Sequence, residues 1–323
     1  MPYRDLRGVG YVGWVKFKTS SGDIPCPVTA CSLEKTPGKI IPDNLIHGSS
    51  GDEAASQVVW AWGANTYGGD IETYLFKALW TQALGDWLID DRTTPIDIVA
   101  SPDNYNVWLY SNCYVDSFTI RGNVPTGVGG EPITLRLTVV ATGRTTSTDT
   151  PPTYTGFFTA DENLGNAPIP GWRTKVEYAG FKGPGGEQLY PTSWEVTVRH
   201  NPTTLYVADG RRDPKWVKQG IMNVTGRVTL YHPDGVPLPE DSVVESYNKN
   251  GSLKIKIYGQ QEIDAESEGS LTKDPFLTIE IPYVVITAYA QPFVAPKNPV
   301  VRTVDFTGLG SAEKKAISIA VSS

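Results

Sequence analysis

The sequence predicts a mainly β (α+β) protein made of two tandem antiparallel β-sandwich domains, each with one flanking helix. Three observations predict it. Apolar and polar residues alternate with a period of two along many short segments, as in strands with one buried face. The 323 residues include 32 glycines, 25 prolines, 9 Trp, 16 Tyr and 9 Phe, which is typical of short strands joined by turns. The same order of elements also occurs twice along the chain.

The strands of the first half follow from this alternation. Leu135, Leu137 and Val139 share one face, and Arg136 and Thr138 share the other. An N-terminal segment alternates in the same way between Val9 and Phe17. We expect the strands of this half at 9–17, 28–33, 58–62, 96–100, 106–120 and 133–141.

The strands of the second half have the same character. Trp194, Val196 and Val198 alternate with Glu195 and Thr197. One apolar face and one polar face per strand favour antiparallel sheets that pack face to face. We expect the strands of this half at 194–198, 221–231, 253–258, 276–288 and 300–306.

Two segments have helical rather than strand spacing. In the first half, Asp70 follows two glycines and can cap a helix whose apolar residues run from Ile71 to Leu84, with Gly85 as the stop. In the second half, a shorter helix is expected after Pro239, ending at Gly251.

The order strand, long polar excursion, strand, helix, strands and closing strand is found in both halves. The excursions cover 34–57 and 201–218, and Val140-Ala141-Thr142-Gly143 matches Asp305-Phe306-Thr307-Gly308 at the two ends. This order predicts an internal duplication. We expect a first domain at 1–143, a Ser/Thr/Pro- and Gly-rich linker region at 144–186, and a second domain at 187–323.

The composition leaves little material for catalysis. A formal charge of −7 lacks the excess of Lys and Arg that nucleic-acid binding needs. The three histidines, His47, His200 and His232, are expected on the surface or in loops rather than as catalytic bases, and no G-x-S-x-G or phosphate-binding loop is present. We therefore expect no catalytic, cofactor-binding or metal-binding residues, and no enzyme activity.

Two features leave alternatives open. The acidic run Glu262, Asp264, Glu266 and Glu268 is expected to be a solvated hairpin tip, with a calcium site or a channel-facing surface as alternatives. Exposed tryptophans can form a sugar-binding platform, but most of the candidates fall on apolar faces, which favours the core. These candidates are Trp60, Trp62, Trp80, Trp87 and Trp108.

The cysteines and the apolar segments also exclude classes of protein. Cys26, Cys31 and Cys113 have no C-x-x-C spacing and are expected to be reduced. The first seven residues, Met1 to Arg7, contain no apolar core of signal-peptide length. The apolar stretch from Tyr283 to Ala295 is interrupted by Gln291 and Pro292, so we expect no membrane association.

This twofold element order resembles the duplicated tail tube proteins of tailed bacteriophages. In the second half, the strand 192–198 enters the long excursion, and Asn223-Val224-Thr225-Gly226 leaves it, where that family often has a V-T-G step. In the first half, Ala61-Trp62-Gly63-Ala64 is expected at the place of that step. The resemblance covers roughly residues 10–310, rests on element order and one short motif, and brings no catalytic residues.

The resemblance implies a structural virion protein. Stacked rings, trimeric and pseudo-hexameric for a duplicated chain, would form a hollow tail tube that the genome passes through without specific binding. The implied partners are further copies of the chain, the tape measure, terminator and baseplate proteins, and a sheath where the tail is contractile. Assembly would take place in the host cytoplasm. The alternatives are another tail ring protein, a terminator or baseplate component, or a carbohydrate-binding double β-sandwich.

Overall fold

The computed structural model describes residues 13–40, 61–89, 95–103, 105–124, 131–152, 168–178, 190–232, 252–259, 274–290, 300–310 and 315–322. The fold is mainly β, with large antiparallel sheets, as the alternation predicts. The helix predicted after Pro239 lies outside the described residues.

The first half contains nine strands and one α-helix within the described residues. A 3₁₀ turn at Lys77–Leu79 precedes the helix. The elements are β1 Trp14–Thr19, β2 Gly22–Cys26, β3 Val28–Cys31, β4 Glu34–Ile40, β5 Ala61–Tyr74, α1 Gln82–Ile89, β6 Ile96–Ser101, β7 Trp108–Asn123, β8 Thr134–Ala141 and β9 Gly143–Thr146.

The second half contains ten strands within the described residues. A 3₁₀ turn at Gly171–Arg173 leads into the first of them. The elements are β10 Thr174–Glu177, β11 Tyr190–Arg199, β12 Thr203–Leu205, β13 Trp216–Lys218, β14 Asn223–His232, β15 Leu253–Ile257, β16 Leu277–Ile281, β17 Tyr283–Ala290, β18 Val300–Leu309 and β19 Ser318–Val321.

The strands of the two halves pair in the same order. In the first half, β3, β5, β8 and β7 are neighbours in one row, and β1, β6, the start of β7 and β9 form another. In the second half the rows are β11, β14, β18 and β17, and β10, β15, β16 and β19. The long strand β7 of the first half therefore corresponds to two strands of the second half, β16 and β17. Pro282 separates these two strands.

A β-bulge at a threonine occurs at the same place in both halves. The register of β3 with β5 shifts at Thr29, and the register of β11 with β14 shifts at Thr192. Thr29 Oγ1 donates to Glu72 O at 3.1 Å, and Thr192 Oγ1 donates to Thr229 O at 3.2 Å. A bulge adds one residue to one strand and bends it, so these matched bulges define equivalent positions.

A second bulge is also shared. The register of β7 with β8 shifts between Val115 and Ser117, and that of β17 with β18 shifts between Ile286 and Ala288. Val139 of β8 pairs with Val115 just before the bulge in β7, and Phe306 of β18 pairs with Ile286 just before the bulge in β17. Val139 and Phe306 are therefore equivalent residues.

A glycine lies at the same contact in each half. A Cβ on Gly69 would come within 2.3 Å of Ser32 O, and a Cβ on Gly226 would come within 2.5 Å of Glu195 O. Gly69 also has φ +146, a conformation that residues with a side chain rarely adopt. The close approach of two backbones explains why glycine is required at both positions.

The two halves are joined edge to edge. The last part of β7 pairs with β11 in antiparallel register, from Ser117 opposite Arg199 to Asn123 opposite Ser193. Hydrogen bonds from Val124 N to Thr192 O and from His200 N to Asp116 O continue this ladder at both ends. The result is one sheet of 13 strands across both halves.

The first predicted helix is placed too early. Residues 70–74 belong to β5, and Asp70, expected as a helix cap, instead accepts hydrogen bonds from Arg136 and Thr138 on β8. The apolar residues of this segment fit both the period of a helix and the period of a strand. The segment forms a strand because it pairs with β8. The helix begins after Thr81, whose Oγ1 accepts from Leu84 N.

Gly85, expected as the stop of this helix, lies inside α1. A Cβ at this position would lie 3.5 Å from Ile319 Cγ2 on β19. The glycine therefore faces a neighbouring strand of the second half rather than ending the helix.

The region 144–186, predicted as a linker, carries regular structure in its described parts. Strand β9 pairs with β7, and β10 pairs with β15. Between them, Ile169 N donates to Leu75 O, and Gly171 N donates to Glu131 O. The segment before β10 is therefore tied to the first half by backbone hydrogen bonds.

The buried apolar side chains form one cluster that includes residues of both halves. On β8 and β11, the buried residues are those of the predicted apolar faces. Within the described residues, no helix is long and apolar enough to cross a membrane.

Candidate assembly surfaces

The row of paired strands that runs through both halves has two open ends in the described part of the chain. At one end, β3 and β4 pair only with β5, and at the other end β17 pairs only with β18. The open edge of β3 is exposed, since Thr29, Ala30 and Cys31 all lie at the surface. An exposed strand edge is a template for pairing with another chain.

The backbone groups at the β3 edge point outward. Ser32 N donates to Asp70 O at 2.8 Å, so Ser32 is hydrogen-bonded to β5. In an antiparallel pair, hydrogen-bonded and non-hydrogen-bonded positions alternate along the strand. Cys31, Leu33 and Lys35 therefore direct their N–H and C=O groups away from β5. The Leu33 carbonyl accepts a hydrogen bond from Tyr110 Oη at 2.8 Å.

The second excursion, 201–218, forms a hairpin of β12 and β13 that packs on the first half. Asn65 N donates to Arg212 O at 2.8 Å, Arg212 Nε donates to Gly63 O at 2.9 Å, and Tyr206 Oη donates to Asn65 O at 2.8 Å. This hairpin, with its turn, is called the docked hairpin (residues 203–218) below.

A carboxylate on the docked hairpin completes the contact. Asp213 accepts hydrogen bonds from the Tyr67 hydroxyl and from Asn65 Nδ2, and these bonds lower the pKa of the Asp213 carboxyl. Burial, together with the neighbouring Asp213, raises the pKa of Tyr67 to about 12. The carboxylate is therefore ionised and the phenol neutral at neutral pH, which suits this donor and acceptor pair.

Apolar side chains remain exposed beside the docked hairpin. Leu205 and Trp216 lie on its strands, and Ile221, just before β14, is 87% exposed. Burying exposed apolar area is favourable, so clustered apolar residues of this kind mark surfaces for contact with other molecules.

A groove of about 520 Å³ lies beside the open edge of β3. Its lining includes Trp14 and Val15 of β1, Cys31 of β3, Leu33, and Tyr110 of β7. The groove thus lies between the two rows of strands of the first half, next to the edge that is open.

His200 is a junction residue that the sequence does not predict. It lies in the loop after β11, as the expectation of a surface or loop position allows, but it is buried, with an exposed fraction of 1%. Its Nε2 lies 2.7 Å from Leu88 O in the last turn of α1, and Gly220 N donates to its carbonyl. The side chain links the helix to the strand junction instead of facing a site for chemistry.

The other candidate residues divide into described and masked positions. His47, the side chains of His232, Trp60 and Trp62, and the acidic run 262–268 lie outside what the structure describes. Trp80 and Trp87 are buried, as the core interpretation predicts, and Trp108 packs against Arg144 at 4.3 Å. No group of three His, Cys, Asp or Glu side chains that could hold a metal occurs among the described residues.

The three cysteines all lie in the described part of the chain and form no disulfide. Burial raises the pKa of Cys26 to about 12 and also raises the pKa of Cys113. Cys31 is exposed on β3. A break at Pro27 separates Cys26 in β2 from Cys31 in β3.

The position of the V-T-G step in the first half differs from the expected one. Gly226 pairs with Phe306, and Gly69 pairs with Val139, the residue equivalent to Phe306. The counterpart of Val224-Thr225-Gly226 is therefore Tyr67-Gly68-Gly69 and not a part of 61–64. The repeated glycine contact, which is invisible in a single sequence, identifies the match.

Matched sheets with open outer strands are the features of a structural protein that extends its sheets through further copies. The chain belongs to the phage tail tube proteins, because the model of that family, described as "Phage tail tube protein", matches residues 57–308. This match spans most of both halves and assigns the protein to the virion tail. No curated protein matches the chain.

Proposed function

We propose that the chain polymerises into stacked rings that form the hollow tube of a phage tail. Each chain supplies two similar units, running from β1 to β9 and from β10 to β19. Three chains would then close a pseudo-hexameric ring. The matched bulges, the matched glycine contacts and the identical order of strand pairing support this duplication.

The observation that carries the proposal is the β7–β11 junction. It joins β7, the end strand of a row in the first unit, to β11, the end strand of the matching row in the second unit. The equivalent strands at the open ends are β17 and β3, so the same junction can form between copies. A head-to-tail contact of this kind closes a ring when the rotation between units is suitable.

The docked hairpin supports the same arrangement. It reaches from the second unit onto β5 of the first. In the first unit, the end of β4 and the start of β5 have the equivalent place and would reach onto β14 of a neighbouring copy.

Ring stacking and DNA passage complete the proposal. The net charge of −7 suits a channel wall that repels phosphate and lets the genome slide. The protein would act without catalysis or cofactors. Its partners would be further copies, the tape measure, terminator and baseplate proteins, and a sheath in a contractile tail. Assembly would take place in the host cytoplasm.

The open edge formed by β3 and the start of β4 allows a direct test. Lys35→Pro removes an N–H that points away from β5 and leaves the bonds to β5 in place. We expect purified wild-type protein to form rings or tubes in negative-stain electron microscopy, and Lys35→Pro to form at least tenfold fewer.

Lys35→Ala is the matched control, because it removes the same side chain and retains the N–H. Circular dichroism and thermal unfolding would show that both variants fold. A Lys35→Pro variant that is folded and still forms tubes as the wild type does would refute pairing through this edge.

A further inference from the structure

We propose that Glu195 and Asp305 neutralise the arginines of a sheet face that lines the channel, and so keep these arginines from holding the passing DNA. This inference rests on the proposed tube and adds the surface that the genome meets. The strands that carry this face are neighbours in the order β5, β8, β7, β11, β14 and β18, and are called the main row below.

A line of alternating charge crosses the exposed face of the main row. Glu195 of β11 is directly opposite Arg121 of β7 on one side and Arg227 of β14 on the other. Asp305 of β18 is opposite Arg227 on its far side. Residues that are directly opposite on neighbouring strands have Cβ atoms about 4.5–5.5 Å apart, so opposite charges there attract. Each arginine of this line therefore has a carboxylate beside it.

The Arg227 guanidinium is held by Asp305 at two points. Its Nε donates to Oδ1 at 2.6 Å, and its Nη2 donates to Oδ2 at 3.2 Å. A bidentate pair of this kind fixes the orientation of the guanidinium as well as its charge. The donors of Arg227 that a phosphate group would bind are thus directed to a carboxylate.

The equivalent strands of the first unit carry a second ion pair on the same face. Arg136 Nη2 of β8 lies 2.8 Å from Asp70 Oδ2 of β5. Hydrogen bonds from Thr138 and Arg136 lower the pKa of the Asp70 carboxyl, so the pair is charged at neutral pH. Asp70 and Arg227 each follow one of the two equivalent glycines. The charge at this position is therefore reversed between the units, while an arginine with a carboxylate partner is present in both.

Hydroxyl side chains dominate the part of the face beside the charged line. Four neighbouring strands have a threonine at the next exposed position, and the first two of these side chains are hydrogen-bonded at 2.9 Å across the β7–β11 junction. A hydroxyl carries no net charge, so it releases no counterions from DNA and adds nothing to salt-dependent binding. The threonines are Thr119, Thr197, Thr225 and Thr307.

Closure of the proposed ring directs this face inward. The opposite face is buried against the second row of each unit, since Trp194 and Val196 belong to the same apolar cluster as Ile255 of β15. Six units with four strands each, as in β11, β14, β18 and β17, would close a sheet about 48 Å across, at a spacing of about 4.8 Å and a tilt of about 40°.

The second rows do not fit inside a sheet of this size. They also have four strands in the second unit, β10, β15, β16 and β19, and packed sheets lie about 10 Å apart. A layer about 10 Å nearer the axis would have only about 60% of the circumference that the same number of strands needs. The second rows would therefore lie outside, and the exposed face of the main row would line the channel.

The two carboxylates then determine how this wall treats DNA. Arginine binds phosphate through its planar set of donors, and each arginine that neutralises a phosphate strengthens binding. With Glu195 and Asp305 in place, Arg121 and Arg227 face carboxylates, and the line has no excess of positive charge. The wall is polar and solvated, but it gives the DNA backbone no cation that would hold it.

Removal of both carboxylates tests their role. Glu195→Gln with Asp305→Asn keeps the side-chain shapes and takes the acidic neighbours from Arg121 and Arg227. Binding of a labelled duplex of about 20 bp is measured by fluorescence anisotropy on the unassembled chain at about 50 mM and about 200 mM salt. We expect at least tenfold tighter binding than in the wild type at the lower salt concentration, and a steeper decrease with salt, because about two more phosphates are neutralised.

Glu177→Gln with Glu280→Gln is the matched control. These carboxylates lie on the second row, 2.9 Å from Lys256 Nζ and 3.4 Å from Lys254 Nζ, so this variant has the same net charge and an unchanged main row. It should bind DNA as weakly as the wild type does. An equal gain in both variants, or no gain in Glu195→Gln with Asp305→Asn, would refute the role of the two carboxylates. Thermal unfolding would show that both variants fold.

Chemical labelling of assembled tubes tests the orientation of the face. Thr225→Cys lies on the threonine line, and Lys175→Cys lies on β10 of the second row. Both are made in a Cys31→Ser background, because Cys31 is exposed whereas Cys26 and Cys113 are buried. A maleimide attached to a large polymer should label both thiols in the unassembled chain. In tubes it should label Lys175→Cys at least tenfold faster, and equal rates would refute the inward orientation.

The outcomes separate this inference from the proposed function. Wild-type protein that never assembles would refute the proposed tube. Wild-type protein that forms tubes, together with unchanged DNA binding in Glu195→Gln with Asp305→Asn, would refute only the role of the carboxylates.

Discussion

At the residue scale, Lys16 shows how a charged side chain is retained inside a β-sandwich. Its residue is 8% exposed, and its Nζ lies 2.9 Å from Asp23 Oδ2 and 3.1 Å from Asp149 Oδ1. Lys18 Nζ lies 2.8 Å from the other oxygen of Asp149. Burial opposes the charge of Lys16, but its carboxylate partners raise its pKa overall. Asp149 thereby anchors the chain after β9 to β1.

We predict that Asp149→Asn lowers the free energy of unfolding by about 1 kcal/mol at pH 7, a value reduced for partial solvent screening. Hydrogen bonds from Lys18 and Ser147 hold the pKa of the Asp149 carboxyl well below its usual range. A lowered folded-state pKa gives stability that is present above the unfolded pKa, about 3.9, and lost as the pH falls. Urea unfolding of the wild type and of Asp149→Asn, from pH 7 to pH 3, measures the difference in their free energies of unfolding.

The difference between wild type and Asp149→Asn should therefore shrink below about pH 4. Asp274→Asn is the control, because Asp274 acts on Lys256 only through a longer-range charge interaction and makes no direct ion pair with a described residue. A difference that grows as the pH falls would contradict the role given to Asp149.

At the element scale, the docked hairpin connects the two units by polar contacts to β5. Tyr206 and Arg212 bind backbone carbonyls of β5, and Asp213 binds two of its side chains. Such a contact orders a segment that buries little apolar surface of its own. The hairpin strands are short, with three residues each.

We predict that Tyr206→Phe loosens this hairpin without unfolding the protein. Loss of the bond to Asn65 O should cost about 1 kcal/mol and raise amide hydrogen exchange at 203–218 by roughly fivefold. Tyr105→Phe is the control, because Tyr105 is 91% exposed. Hydrogen exchange measured by mass spectrometry tests the prediction. In Tyr105→Phe the docked hairpin should exchange at the wild-type rate. The same wild-type rate in Tyr206→Phe would contradict the prediction.

Strands with one buried face could be predicted from the sequence, as β8 and β11 were, because alternation survives in a single sequence. The segment 70–84 could not, since its apolar residues fit a helix and a strand equally and only pairing with β8 decides between them. The groove and the docked hairpin were also unpredictable. They depend on residues that are distant in sequence, such as Asn65 and Asp213.

At the scale of the whole molecule, the two units meet through the β7–β11 junction, the docked hairpin and the contact of α1 with β19. Among the described strands, β3 lies at one open end and β17 at the other. A monomer with such edges risks uncontrolled association, and a closed ring removes the edges.

The most direct test of the central claim is the number of chains in one ring, counted by cryo-electron microscopy of tubes viewed end-on. The account predicts three chains arranged as six similar units, with the β7–β11 junction alternating with a junction between β17 and β3. Rings of six complete chains, or an assembly in which β3 and β17 contact no other copy, would contradict it.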